Sequence, residues 1–102
     1  MTNKHNDTDK AASMSPERTV LRLYELGIEA CRKRDKEQVS RVLVSLINML
    51  DFKYADMANA FFDVYNFALE VLESENYEQV QSLFEGLHEA WNEAFEYSKQ
   101  VN

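Results

Sequence analysis

Only two glycines, Gly27 and Gly86, and one proline, Pro16, interrupt this 102-residue chain. Average usage is roughly 7% glycine and 5% proline. A chain so poor in turn formers has few reversals and long elements, which points to an all-α fold. With 45% hydrophobic residues it holds the material for one domain around one core.

Capping residues mark where the helices begin. In Ser15-Pro16-Glu17 the serine can cap free N–H groups, and the proline loses nothing at the first helical position. The early glutamate suits the positive end of the helix dipole. This first helix is predicted to run to about Arg34. Asp35-Lys36-Glu37-Gln38 reads as a capping box, with Asp35 as the cap and Gln38 reaching back. Val39, Val42, Leu43, Leu46, Ile47 and Leu50 follow at helical spacing. The next break rests on Asp51 as a cap, because Asp51-Phe52-Lys53-Tyr54 contains neither glycine nor proline. A third helix is predicted from about Tyr54 to Glu73. Asn76-Tyr77-Glu78-Gln79 repeats the capping box and opens a fourth helix carrying Val80, Leu83, Phe84, Leu87, Ala90, Trp91, Ala94 and Phe95.

Short connections favour antiparallel neighbours. The expected architecture is therefore an antiparallel up-down four-helix bundle over residues 15–100, preceded by a flexible polar tail over residues 1–14. The matching Asp/Asn-x-x-Gln starts of helices two and four hint at a helix-hairpin repeat. Gly27 and Gly86 fall inside helices, where glycine costs roughly 1 kcal/mol against alanine. Each is expected to mark a close helix–helix approach.

Helices one and three carry more apolar surface than a single core needs. Val20, Leu21, Leu23, Tyr24, Leu26, Gly27, Ile28 and Cys31 spread over roughly 220° of one helix at about 100° per residue, where a stripe a little over 100° wide suffices. Met57, Ala58, Phe61, Phe62, Val64, Tyr65, Phe67, Ala68, Leu69, Val71 and Leu72 do much the same on the other. This surplus is expected to meet tight packing within the chain, a second copy, or a partner segment in a groove. The residues on or near the stripe edges define the candidate groove: Leu21, Leu26, Ile28, Val44, Phe62, Tyr65, Phe67 and Val71.

The formal net charge of -7 repels phosphate backbones, so no nucleic-acid partner is expected. The basic run Arg32-Lys33-Arg34 with Lys36 complements the negative end of the first helix. No apolar run approaches the roughly 18 residues of a membrane span, and residues 1–14 carry no apolar stretch of a secretory signal. A cytoplasmic protein without membrane insertion is expected. Cys31, the single cysteine, sits on an apolar stripe and reads as a packed core thiol. Glu85-x-x-His88 has a metal-ligand spacing, but a di-iron bundle needs a second such pair and two further glutamates. His88 stands among Glu85, Glu89 and Asn92, whose carboxylates would repel a phosphoryl group. Trp91 is expected in the core, with its indole N–H seeking a partner near the boundary. No catalytic residues, metal site or cofactor are expected, and the chain reads as a binding protein.

Taken in order, Ser15-Pro16, Leu23-Tyr24, Gly27-Ile28, Ala30, Leu50-Asp51, Val64-Tyr65-Asn66-Phe67, Leu83, Leu87 and Ala90-Trp91 resemble the flagellar export chaperone family, FliS. The resemblance covers about residues 15 to 98. It implies a small acidic helical bundle without enzymatic activity that holds the disordered C-terminal segment of flagellin in the cytoplasm. Such a protein prevents premature polymerisation and delivers its client to the flagellar export gate, as a monomer or weak homodimer. The chain departs from the family pattern in two places. Before Ser15 it lacks a tyrosine-bearing stretch, and the link between helices two and three is short and without the usual glycines. A protein-interaction module that dimerises, or a chaperone for another secreted client, is the alternative reading.

Overall fold

The structure, a computed structural model, describes residues 15–101; the tail expected over residues 1–14 and the side chain of Phe95 lie outside what it describes. Four helices and a 3-10 turn follow in order: α1 (Pro16–Arg32), α2 (Lys36–Asn48), the turn Phe52–Tyr54, α3 (Ala55–Glu73) and α4 (Tyr77–Val101). No strand occurs among the described residues. The expected all-α bundle is what forms.

The caps act as read. Ser15 Oγ accepts the Arg18 N–H at 3.2 Å, Asp35 Oδ1 accepts the Gln38 N–H at 3.1 Å, and Asn76 Oδ1 accepts the Gln79 N–H at 3.2 Å. The reciprocal arm of the first box differs from expectation. The Asp35 N–H donates to the Ala30 carbonyl at 3.0 Å, because Arg34 turns the chain back with a left-handed φ of 56°. This reversal satisfies carbonyls at the end of α1 and ends it at Arg32, two residues before the predicted stop. Glu75, with φ 57°, plays the same part after α3. Asp51 caps the 3-10 turn, its Oδ1 accepting the Lys53 N–H at 3.0 Å, and α3 follows one residue after its predicted start.

Each helix packs against two others: α1 on α2 and α4, α3 on α2 and α4. The α1–α4 contact is the most extensive, and α3 is the least engaged helix. Tyr24, Val39, Leu43, Leu46, Leu72, Val80 and Phe84 form the fully buried centre. Gly27 bears out its expected role. A Cβ there would stand 2.6 Å from Cε2 of the Phe84 ring, so the absent side chain is what lets α1 and α4 close. Gly86 corrects the companion expectation: it is exposed, and a Cβ would meet nothing within 4 Å.

The hinted repeat extends through both hairpins. Residues 41 positions apart play matching parts: Tyr24 and Tyr65 in the core, Arg34 and Glu75 at left-handed φ, Asp35 and Asn76 as caps, and Val39 with Val80 and Leu43 with Phe84 fully buried. The α1–α2 and α3–α4 hairpins thus repeat one pattern of core, turn and cap residues, and buried residues of both form the core.

The wide stripe of α1 is explained by its two neighbours. Val20, Leu23, Leu26 and Ile28 all pack at the margin of the core. On α3 some surplus remains, with Met57 61% and Phe67 47% exposed. No helix among the described residues is long and apolar enough to cross a membrane.

Candidate functional site

At the end of the bundle where α1 begins and α2 ends, a recess of about 170 Å³ opens between the helices. Pro16 and Val20 of α1, Leu46 of α2, Leu50 of the link that follows it, Met57 and Phe61 of α3, and Trp91 of α4 contribute to its wall. Among the lining residues, Val20 and Phe61, like Leu50 and Trp91, stand 41 positions apart, the repeat offset. All four helices and the link between α2 and α3 contribute apolar side chains here.

The lip is apolar and open. Met49, Phe52, Tyr54 and Met57 are 39%, 53%, 68% and 61% exposed, and all but Phe52 line the recess itself. Two carboxylates, Glu17 and Asp51, stand among the lining residues. Flexible methionine and aromatic lips suit an apolar side chain whose shape need not be matched in advance.

Aromatic rings and hydroxyls form the floor. Phe61 stacks on Tyr65 with centroids 6.0 Å apart and tilts against Trp91 at 5.9 Å. The Tyr65 hydroxyl meets that of Tyr24 at 2.7 Å. Trp91 Nε1 is buried and has no hydrogen-bond partner among the described residues; it faces the Tyr24 oxygen from outside hydrogen-bond geometry. Burial pushes the Tyr24 phenol far above its ordinary value, and the bond to Tyr65 adds to the effect. Burial likewise raises Tyr65, partly offset by its hydrogen bond with Tyr24. Either hydroxyl can be the donor of the bond between them. Both phenols beneath the recess therefore stay neutral at ordinary pH.

A second concavity, an open trough of about 1180 Å³, runs between α2 and α3. Val44 and Leu69 supply its apolar floor, while Lys36, Glu37, Arg41 and Glu73 rim it. The rim charges are paired, Lys36 with Glu73 at 3.2 Å and Arg41 with Glu37 at 2.7 Å.

The eight residues of the candidate groove fall on several faces. Tyr65 is buried and lies under the recess, and Val44 lies in the trough. Leu26 and Ile28 flank a shallow depression on the outer face of α1 with Arg22, Glu25, Glu29 and Arg32. Val71 packs against the core, Leu21 and Phe62 are partly buried, and Phe67 is exposed. The lip residues Met49, Tyr54 and Met57 were absent from that set. Their signal was available: large apolar residues crowd around a break that has no turn former.

His88, the boundary residue of α4, donates from Nε2 to the Glu25 carboxylate of α1 at 3.1 Å, tying the two helices. Cys31 is buried, as expected, and burial, with Glu85 nearby, raises its thiol to about 11. Among the described residues no cluster of three or more histidine, cysteine, aspartate or glutamate side chains is placed to hold a metal. Comparison of the chain with family models, curated proteins and solved structures finds no match.

Proposed function

We propose that this protein is a cytoplasmic export chaperone of the flagellin type, binding the disordered C-terminal segment of its client one to one. The apolar end recess with its exposed methionine and tyrosine lip carries the reading. It offers a client segment a place to bury one large apolar side chain, and the rest of that segment lies across the lip. Ordering the segment opposes part of that gain, which keeps the complex reversible. The net charge of -7 favours solubility of an aggregation-prone client. Release follows from competition at the export gate.

Titration calorimetry against a peptide from the C-terminal region of flagellin of the same organism tests the proposal. Saturable one-to-one binding with a negative heat-capacity change is expected. Replacing Met57 by glutamate should weaken it about tenfold, corresponding to roughly 1.4 kcal/mol, with helicity unchanged. A folded protein that gives no heat with the peptide overturns the reading.

A further inference from the structure

The link between α2 and α3, Met49-Leu50-Asp51-Phe52-Lys53-Tyr54, bends a chain whose apolar pattern does not bend. Leu43, Leu46 and Leu50 lead on to Tyr54, Met57, Phe61 and Tyr65 in steps of three and four. That spacing is what one uninterrupted helix from α2 through α3 would carry. No glycine or proline forces a stop anywhere between Gly27 and Gly86. The bend rests on Asp51, whose Oδ1 accepts the Lys53 N–H at 3.0 Å and whose carbonyl accepts the Tyr54 N–H at 3.1 Å. Around it Phe52, Tyr54 and Met57 stay more than half exposed.

We propose that this hinge straightens and that two copies of the chain exchange hairpins. In the dimer α2 and α3 of each copy become one helix about 57 Å long. The α1–α2 hairpin of one copy then packs on the α3–α4 hairpin of the other. The occupant of each hairpin face is therefore a second copy, through the interface that the two hairpins already form within one chain. The Tyr24–Tyr65 hydrogen bond, the seat of Phe84 over Gly27, and the Lys36–Glu73 and Glu25–His88 pairs all re-form between copies. Nothing in the core is lost. The gain lies at the hinge, where the two long helices run side by side and cover Leu50, Tyr54 and Met57 with their counterparts. The exchange needs no client, so its test is independent of the function proposed above.

The full chain is refolded from urea at about 10 µM and about 1 mM, and its mass is measured by light scattering, since exchange follows mass action. A dimer growing with concentration is expected. Asp51→Ala removes the hinge cap and inserts a better helix former, and raises the dimer association constant about fivefold or more. Phe52→Pro does the opposite. Asp51 already has the extended backbone (φ -107°, ψ 103°) that suits a residue before proline, and proline is tolerated at the first position of a helical turn. Inside a continuous helix it is a breaker, so this variant stays monomeric. In parallel, isotope-labelled and unlabelled copies are refolded together and joined with a carbodiimide at Lys36–Glu73. The dimer should yield cross-linked peptides that mix the two labels, a result that holds even where Phe52→Pro fails to fold. Wild type and Asp51→Ala both monomeric at the higher concentration overturn the proposal. So does a dimer whose Lys36–Glu73 links stay within one copy, or one that persists in Phe52→Pro.

Discussion

Tyr24 of α1 and Tyr65 of α3 join hydroxyls at 2.7 Å in the centre of the core, and they occupy equivalent positions of the two hairpins. The two helices sit diagonally, so this bond ties together elements that do not otherwise pack on each other. Each hydroxyl replaces the water that the other lost on burial. Removing one leaves a buried polar group unpaired; removing both leaves none.

Tyr24→Phe and Tyr65→Phe should each lower stability by about 1–3 kcal/mol in urea denaturation. The double variant should cost less than the sum of the two, because the second removal relieves the unpaired hydroxyl left by the first. Strict additivity would mean that the two hydroxyls are satisfied separately.

Glycine-to-alanine substitution should have opposite signs at the two glycines. At Gly27 the new methyl would press on a Phe84 ring that is itself 1% exposed and has no room to move. A loss of about 1–3 kcal/mol is expected from overpacking. At Gly86 the methyl meets open space, and the helix should gain up to about 1 kcal/mol. Melting temperatures of the two variants against wild type decide the matter.

Alkaline pH should unfold the protein through its buried acids. Burial raises the thiol of Cys31 to about 11 and pushes both phenols above their ordinary range. In the unfolded chain these groups release protons near 8.5 for cysteine and about 10 for tyrosine. Above those values the unfolded state binds fewer protons than the folded state, so stability falls as pH rises. Stability from these groups is therefore full below about pH 8.5 and declines through pH 10 and beyond. Urea midpoints measured from pH 7 to about pH 11 should show this decline. Tyr24→Phe/Tyr65→Phe should flatten it, and an unchanged slope in that variant would place the titrating groups elsewhere.

On α3, glutamate should be tolerated at Phe67 and not at Val71. Phe67 is 47% exposed, whereas Val71 packs against the core. Phe67→Glu should shift stability by no more than about 0.5 kcal/mol, while Val71→Glu should cost about 1–3 kcal/mol. Circular dichroism melts distinguish the two. Equal losses would mean that α3 lies more deeply in the bundle.

The helix starts were legible because capping is a local event. Ser15, Asp35 and Asn76 each reach an N–H three residues ahead, and three residues of sequence suffice to see it. The end of α1 was less legible. Arg34 takes a left-handed φ that glycine would have announced, and its side chain then lies over the Tyr77 ring, 5.6 Å from the centroid. That contact crosses from one hairpin to the other and has no local signature.

The candidate groove shows the same boundary from the other side. Periodicity gave the angular position of Leu26, Val44, Tyr65 and Phe67 on their own helices, but an angle does not say which neighbour stands opposite. Packing sent Tyr65 into the core beneath the recess and left Val44 over an open trough.

Sequence by itself determined four helices and, to within a residue, their starts, and hinted at the hairpin repeat, because caps and apolar spacing act within a few residues. Only the tertiary structure decided that Tyr24 meets Tyr65, that Gly27 seats Phe84 while Gly86 faces open space, and that a recess opens beside the link between α2 and α3. Those outcomes depend on which surfaces are brought together across the chain, and close packing is a property of the pair rather than of either partner.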